Sequence, residues 1–185
     1  VKDNDPEYQP YKRDAEKLNR KWALPGQKGL EHRIGGLEKS DIYGEVSHDP
    51  YNHQVMTDYR AEKVKRIANF IPEQKIIGNQ DGGELLVIGW GGTFGALNMA
   101  VKELREEGYD VSLAHFNYIF PLPKNTEDVL KKFKKRVVCE LNLGQLADYL
   151  RTQFPQYPYE QYNKVQGLPF FIGELKDKFK QMLEK

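Results

Sequence analysis

The stretch LLVIGWGGTFG, residues 85–95, is a short apolar run that ends in a group of glycines. An apolar run of this length beside glycine is typical of a strand that is buried on both faces of a parallel sheet. Glycine lets the backbone turn tightly, and the helical pattern that follows begins with unpaired N–H groups and the positive end of a dipole. Such an end can bind an anion, but it can equally well contact a neighbouring segment or water. The stretch therefore predicts a strand–loop–helix unit of an α/β fold and leaves the reaction open.

Strands and helices alternate from this unit to the end of the chain. Strands are predicted over residues 84–90, 110–116, 136–140 and 157–162, with a short edge strand possible over 74–77. Helices are predicted from about 93 to 107, from Asn125 or Thr126 to about 135, from Asn142 as N-cap to before Pro155, and from after Pro169 to 185. This alternation favours right-handed crossovers and a three-layer, largely parallel sheet with helices on both faces.

The N-terminal 49 residues have no sustained period, because proline and glycine interrupt every potential element. Tyr8, Tyr11 and Trp22 favour packing over disorder, since aromatic side chains are costly to leave in water. We therefore expect residues 1–49 to form an extended arm that lies on the domain, on a second copy, or on a domain upstream.

A helix is predicted to begin at the next residues, with Asp49 as N-cap and Pro50 at the first helical position. It should continue until Pro72, so the α/β domain is expected to span residues 50–185. The chain begins at Val1 in turn-rich sequence, and we expect it to be part of a larger protein.

The composition argues against several classes of protein. The 185 residues include 28 basic and 27 acidic side chains, so no overall field points to nucleic acid or an acidic membrane. No apolar segment is long enough to span a bilayer, and no signal peptide opens the sequence. Together with a single cysteine, these features favour the cytoplasm. Cys139 lies in a strand-like run, where a buried apolar role is expected rather than a nucleophilic one.

Polar residues collect where the predicted strands end, which is the edge at which open parallel sheets bind ligands. The candidate ligand or interface residues are Gly91, Gly92, Thr93, Asn117, Glu140, Asn142, Gln145, Asn163, Lys164 and Gln166. They suit hydrogen bonding more than acid–base chemistry, and no serine–histidine–aspartate set accompanies them. They either contact a ligand or cap helices and dock a neighbouring domain, and the second interpretation is the more economical.

More specific sites fit the sequence poorly. A dinucleotide fingerprint requires glycine where Phe94 stands, and an acidic residue at the end of the second strand, where His115 and Phe116 stand instead. His48 and His53 flank a helix start and lack ligand spacing, so no metal site is expected. The basic run over 131–136 is expected at a helix C-terminus, where cations offset the dipole.

Six motifs follow one another along the chain. They are GLEHRIGGLE (29–38), DPYNH (49–53), VIGWGGTFGA (87–96), PLPKNT (121–126), ELNLGQL (140–146) and YNKVQGLPF (162–170). In this order and spacing they resemble the alpha subunit of 2-oxoacid:ferredoxin oxidoreductases, in particular the 2-oxoglutarate type, over nearly the whole chain.

The resemblance implies the C-terminal part of that subunit, with a domain similar to the transketolase C-terminal domain. It implies a parent complex that decarboxylates a 2-oxoacid on thiamine diphosphate, passes electrons through iron–sulfur clusters to ferredoxin, and forms an acyl-coenzyme A. A separate beta subunit would hold most of the diphosphate and the magnesium, and the pyrimidine contacts would lie upstream of Val1. The implied partners are the upstream domain, the beta subunit, ferredoxin through the complex, and a second copy of the chain.

No catalytic residue of the family falls on a position of this chain, and one cysteine cannot ligate a cluster. The chain alone is therefore expected to be an inactive docking domain. The alternative is a freestanding small-molecule or phosphate-binding module. It would use the glycines within residues 89–95, which make up the glycine loop. Branched-chain 2-oxoacids and pyruvate are alternative substrates of the parent complex.

Overall fold

The computed structural model describes residues 1–184 and divides the chain into two compact units. The first unit is Val1–Phe70 and the second begins at Ile71. The expected boundary after residue 49 differs from this division, because the helix that follows Asp49 groups with the arm. Its side chains hold the arm directly: Arg66 Nη1 donates to the carbonyls of Ala15 and Glu16, at 2.7 and 2.9 Å.

The first unit has one helix, α1 (Pro50–Ile67), preceded by turns and isolated β-bridges such as Tyr11 with Ile42. The predicted start is confirmed, since the Asp49 side chain accepts a hydrogen bond from the Tyr51 N–H at 3.0 Å. The predicted end at Pro72 is wrong. The N–H groups of residues 68–70 bond three residues back rather than four, so the chain leaves the helix in a tighter turn.

The second unit is built on a fully parallel sheet of four strands, as predicted. The strands are β1 (Gly83–Trp90), β2 (Val111–Phe116), β3 (Phe133–Glu140) and β4 (Glu160–Asn163), in the spatial order β2-β1-β3-β4. The stretch around residue 77 contributes one antiparallel bridge, from Ile77 to Leu113, instead of a strand.

Helices cover both faces of this sheet. They are α2 (Phe94–Glu106), α3 (Thr126–Leu130), α4 (Gln145–Gln153) and α5 (Ile172–Leu183). Side chains alternate along a strand, so Leu85 and Val87 pack with α2 and α5, while Leu86 and Ile88 pack with α3 and α4. Burial on both faces explains why the sequence of β1 is a continuous apolar run.

Only the start of the basic run is at a helix C-terminus, where Lys131 is the C-cap of α3, and the helix predicted to reach residue 135 is far shorter. Helix α3 ends at Leu130, and β3 begins at Phe133, which is buried and lies beside Gly83 of β1. Pairing with a central strand therefore overrides the helical propensity of the lysines. Arg136 is buried in β3, where its guanidinium donates to the carbonyl of Leu130 at 2.8 Å.

Within residues 1–184, no helix combines the length and apolar character that crossing a membrane requires.

Candidate functional site

The carboxyl edge of the sheet has a reversal in topology between β1 and β3. Strand β1 leads into α2 on one face of the sheet, whereas the neighbouring strand β3 leads into α4 on the other face. Open α/β sheets generally bind ligands in the crevice that such a reversal creates. Here Trp90 and Glu140, the last residues of the two strands, meet across it, and the indole Nε1 donates to Glu140 Oε1 at 3.0 Å.

Glu140 is fully buried and uses its carboxylate to cap α4. Oε1 accepts from the Leu146 N–H at 2.9 Å and from Asn142 Nδ2 at 3.1 Å, and Oε2 accepts from the Ala147 N–H at 3.1 Å. With the Trp90 indole, these donors compensate the buried charge, which would otherwise cost several kcal/mol. The carboxylate therefore stabilises the helix N-terminus and is not free for acid–base chemistry.

Asn142 and Thr93 also serve the fold. Asn142 Oδ1 accepts from the N–H groups of Gly144 and Gln145, at 2.7 and 3.0 Å, so Asn142 caps α4 by its side chain although Gly144 holds the N-cap position. Thr93 is buried, and its hydroxyl donates to the Trp90 carbonyl at 2.8 Å. Both interactions close turns at the crevice.

The end of β4 contributes a buried cation. Lys164 Nζ donates to Glu174 Oε1 at 2.7 Å and lies 4.3 Å from the centre of the Phe171 ring. Burial is the largest single influence and would raise the pKa of Glu174, but the hydrogen bond from Lys164, the Phe171 N–H and the charge of Lys164 together lower it. Asn163 and Gln166, on either side of this lysine, are exposed.

The packing of the glycine loop depends on Gly89, which was not among the candidate residues predicted from the sequence. A Cβ at Gly89 would overlap Leu97 Cδ1 and lie 2.8 Å from Thr93 Oγ1. In contrast, a Cβ at Gly91 or Gly92 would meet nothing within 4 Å, although Gly91 has a φ of +57° that favours glycine. Close packing therefore fixes Gly89, while Gly91 and Gly92 face open space.

A cavity of about 560 Å³ lies beyond β1 and β2, and its lining includes Gly91, Phe94, His115 and Asn117. His115 packs edge-on against Phe94, with ring centres 5.1 Å apart, and its Nε2 is buried without a hydrogen-bond partner among the described residues. Desolvation lowers the pKa of His115, and backbone groups of Gly91 and Trp90 oppose the shift only in part. The ring is therefore held neutral.

An apolar surface surrounds the crevice, and sequence reasoning missed it. The loops that follow β2, β3 and β4 at this edge expose large apolar side chains, with Phe120 at 74% and Leu143 at 83% exposure. The other members are Phe94, Tyr118, Leu141, Val165, Leu168 and Phe171. A pocket of about 360 Å³ between Trp90, Phe120 and Tyr149 forms part of it. We call this set of side chains the carboxyl-edge apolar surface. Apolar surfaces of this kind mark binding sites for other proteins or domains.

The predicted candidates thus divide into three groups. Thr93, Glu140, Asn142 and Lys164 are engaged inside the unit, Gly91 and Asn117 line the larger cavity, and Gly92, Gln145, Asn163 and Gln166 are exposed. Gln145 borders the apolar pocket.

Among residues 1–184 there is no group of three or more histidine, cysteine or acidic side chains placed to hold a metal ion. The pairing of Trp90 with Glu140 was not predicted, although the sequence contained a signal for it, because a tryptophan and a glutamate each end a buried strand.

Comparison with known proteins identifies the second unit. Residues 83–171 match the family described as pyruvate:ferredoxin oxidoreductase core domain II. The chain is 40% identical over 168 residues to the 2-oxoglutarate oxidoreductase subunit KorA of Mycobacterium tuberculosis. This match covers 91% of this chain and 25% of that protein. The chain is 30% identical over 155 residues to subunit alpha of 2-oxoacid:ferredoxin oxidoreductase 2 of Aeropyrum pernix, covering 82% of this chain and 24% of that protein.

A solved structure shares the fold. The 2-oxoglutarate:ferredoxin oxidoreductase of Magnetococcus marinus, with 2-oxoglutarate, coenzyme A and succinyl-CoA bound, superposes with a TM-score of 0.84 at 24% identity. The match covers 96% of this chain and 31% of that chain.

Residues 83–171 of the second unit are therefore a pyruvate:ferredoxin oxidoreductase core domain II. The chain as a whole is similar to the alpha subunits of 2-oxoacid:ferredoxin oxidoreductases, as the motifs predicted. It spans about a quarter of the length of the curated relatives that it matches.

Proposed function

We propose that this chain is the C-terminal docking portion of the alpha subunit of a 2-oxoglutarate:ferredoxin oxidoreductase. The whole complex would oxidatively decarboxylate 2-oxoglutarate to an acyl-coenzyme A and pass the electrons to ferredoxin. The observation that carries the proposal is the 40% identity to the KorA subunit over 91% of the chain. The choice of 2-oxoglutarate over pyruvate or a branched-chain 2-oxoacid follows from that relative.

The state of the crevice favours a docking role over a catalytic one. Trp90 and Glu140 fill the place where sheets of this kind usually bind ligands, and the Glu140 carboxylate is occupied by donors. The carboxyl-edge apolar surface offers, around the same place, side chains that gain free energy when another surface covers them. Its partner in this proposal is the upstream domain of the same subunit or the beta subunit.

The cofactors of the parent complex do not fit the described residues. An iron–sulfur cluster needs several thiolates, and the chain has the single Cys139, whose thiol is buried and whose pKa burial raises. Magnesium prefers carboxylate ligands, and residues 1–184 contain no cluster of three or more histidine, cysteine or acidic side chains that could hold a metal ion. The clusters and magnesium are accordingly assigned to other parts of the complex, and the family resemblance assigns most of the diphosphate contacts to the beta subunit.

Activity of the reconstituted complex tests the proposal. The complete alpha subunit, produced together with the beta subunit, should reduce a redox dye when 2-oxoglutarate and coenzyme A are both supplied. The present chain, given thiamine diphosphate and magnesium, should not. Turnover by the chain alone would refute the docking role, and a complex that prefers pyruvate or a branched-chain 2-oxoacid would refute the substrate.

The docking surface has a test of its own. Phe120→Ser and Leu143→Ser remove two exposed members of the carboxyl-edge apolar surface, and each should weaken assembly of the complex while leaving the isolated chain folded. Met99→Ser on α2 is a matched control, because Met99 is also exposed and apolar but lies outside the loops of that edge. Unchanged assembly in both variants would place the interface elsewhere. Hydrogen exchange over residues 1–49 and 163–170, compared between chain and complex, would show whether those segments are also covered.

A further inference from the structure

The first unit contains a cavity of about 460 Å³ whose lining is strongly cationic. Five of its lining side chains are basic, namely Arg13, Arg20, Lys39, Arg60 and Lys63, and one is acidic, Glu38. Like charges repel one another when they are brought together, so such a set costs free energy unless anions offset it.

Two of the five cations are already neutralised. Arg13 Nη1 is paired with Asp41 Oδ1 at 2.5 Å, and its guanidinium lies 4.4 Å from the centre of the Tyr59 ring. Arg60 is paired with Glu38 at 3.2 Å, and hydrogen bonds from Arg60 and His53 lower the pKa of that glutamate. These two pairs form part of the cavity wall. The three other basic lining side chains, Arg20, Lys39 and Lys63, have no carboxylate partner among residues 1–184.

Lys39 is the most constrained of the remaining three. It is only 2% exposed, and its ammonium donates to the carbonyls of Leu37 at 2.6 Å and Gly35 at 3.2 Å. An ammonium carries three donors, and the third has no partner among the described residues. Lys39 therefore contributes a fixed positive charge to the wall of the cavity.

Arg20 and Lys63 leave more donors free. The Arg20 guanidinium lies 4.1 Å from the centre of the Tyr11 ring, and within residues 1–184 it makes one hydrogen bond, a long one of 3.4 Å to the Pro10 carbonyl. Stacking on the tyrosine fixes the guanidinium while most of its N–H groups remain unpaired. Lys63 makes no hydrogen bond or ion pair with any residue from 1 to 184.

From this charge balance we infer that the cavity binds an oxyanion carrying at least two negative charges, in the form of a phosphate or dicarboxylate group. The Arg20 guanidinium and the Lys63 ammonium can donate hydrogen bonds to such a group, and Lys39 adds a third positive charge to the wall. The volume is within the range of small-molecule sites. The inference rests on the first unit by itself and holds whether or not the chain is part of an oxidoreductase.

Titration of the full chain with simple anions tests the inference. Inorganic diphosphate, inorganic phosphate and succinate are compared with potassium chloride at equal ionic strength, by calorimetry and by the melting temperature. Lys63→Gln and Arg20→Gln should each weaken the binding of the preferred anion about tenfold, the effect of losing one charge-assisted hydrogen bond. Lys65→Gln is the matched control, because it makes the same charge change on α1 outside the cavity lining.

The three anions also separate the sources of the oxyanion. Preference for diphosphate identifies a phosphate-bearing ligand, and preference for succinate identifies a dicarboxylate. The inference is overturned if none of the three binds more strongly than chloride. It is equally overturned if Lys65→Gln weakens binding as much as Lys63→Gln, since the effect would then reflect overall charge alone.

Discussion

The indole of Trp90 and the carboxylate of Glu140 form a hydrogen bond of 3.0 Å between residues that are 50 positions apart in the sequence. The bond joins the carboxyl ends of β1 and β3, where the helices that follow leave on opposite faces of the sheet. Glu140 uses the same carboxylate to hold the first N–H groups of α4. One buried charge thus fixes two strands and a helix start, and in doing so closes the crevice.

Replacing Glu140 should therefore destabilise the fold. Glu140→Gln removes the charge and turns an amide NH₂ toward N–H donors, so we expect a loss of about 1–3 kcal/mol in the free energy of unfolding. Glu140→Ala should cost more, because every donor is left without an acceptor. Urea unfolding measures both variants. Glu160→Gln, at an exposed position of β4, is the control and should change stability by less than about 0.5 kcal/mol. Equal stability of Glu140→Gln and the original chain would contradict this role.

The glycine loop should respond differently at its two ends. Gly89→Ala introduces a methyl group that overlaps Leu97, and overpacking of this kind costs about 1–3 kcal/mol. Gly92→Ala has open space around its Cβ and should be nearly neutral in the isolated chain. Thermal unfolding of the two variants decides the matter, and a larger loss at Gly92 would show that the loop is constrained in another way. If the loop faces a partner, as the proposed docking role requires, any effect of Gly92→Val should appear in assembly.

His115 should make the stability depend on pH. Its pKa is lowered in the folded chain from an ordinary value of 6.5, mainly by desolvation. Below pH 6.5 the unfolded chain therefore takes up a proton that the folded chain resists, and the free energy of unfolding falls as the pH falls. Because His115→Phe removes this group and keeps an aromatic ring beside Phe94, the variant should gain stability relative to the original chain on acidification. Parallel loss of stability in the two chains between about pH 7.5 and pH 5.5 would contradict the assignment.

Cys139 should be chemically inert in the native chain. The side chain is fully buried in β3, and desolvation raises the pKa of the thiol far above its ordinary value. Since the thiolate is the reactive form, iodoacetamide should label the chain in urea but not in buffer. The chain has no second cysteine, so mass spectrometry reports on this residue alone. Rapid labelling in buffer would show that β3 opens readily.

Much of the second unit could be predicted from its sequence. The run from Leu85 to Ile88 is apolar at every position, which occurs when a strand is covered on both faces, and the structure places these residues at the centre of the sheet. In the first unit, Asp49 and Pro50 marked the start of α1. These signals are local, because they depend on the neighbours of a residue along the chain.

The predictions that failed depend on distant partners. Residues 133–135 suit a helix by composition, but β1 is available for pairing and the ladder of hydrogen bonds draws them into β3. A different case is that of Thr93, Glu140 and Lys164, for which the sequence left two roles open: contact with a ligand, or helix capping and docking of a neighbouring domain. Whether each is free or occupied depends on side chains far away in the sequence, such as Trp90 for Glu140.

By itself, the sequence determined the class of fold, the order of strands along the chain, the parallel sheet and the family, since periodicity and motif spacing are properties of the chain itself. Only the tertiary structure decided the spatial order β2-β1-β3-β4 and the closure of the crevice by Trp90 and Glu140. It alone revealed the carboxyl-edge apolar surface and the grouping of Arg20, Lys39 and Lys63 around one cavity. The physical reason is that burial and the pairing of charges are settled by neighbours in space, which folding brings together from distant parts of the chain.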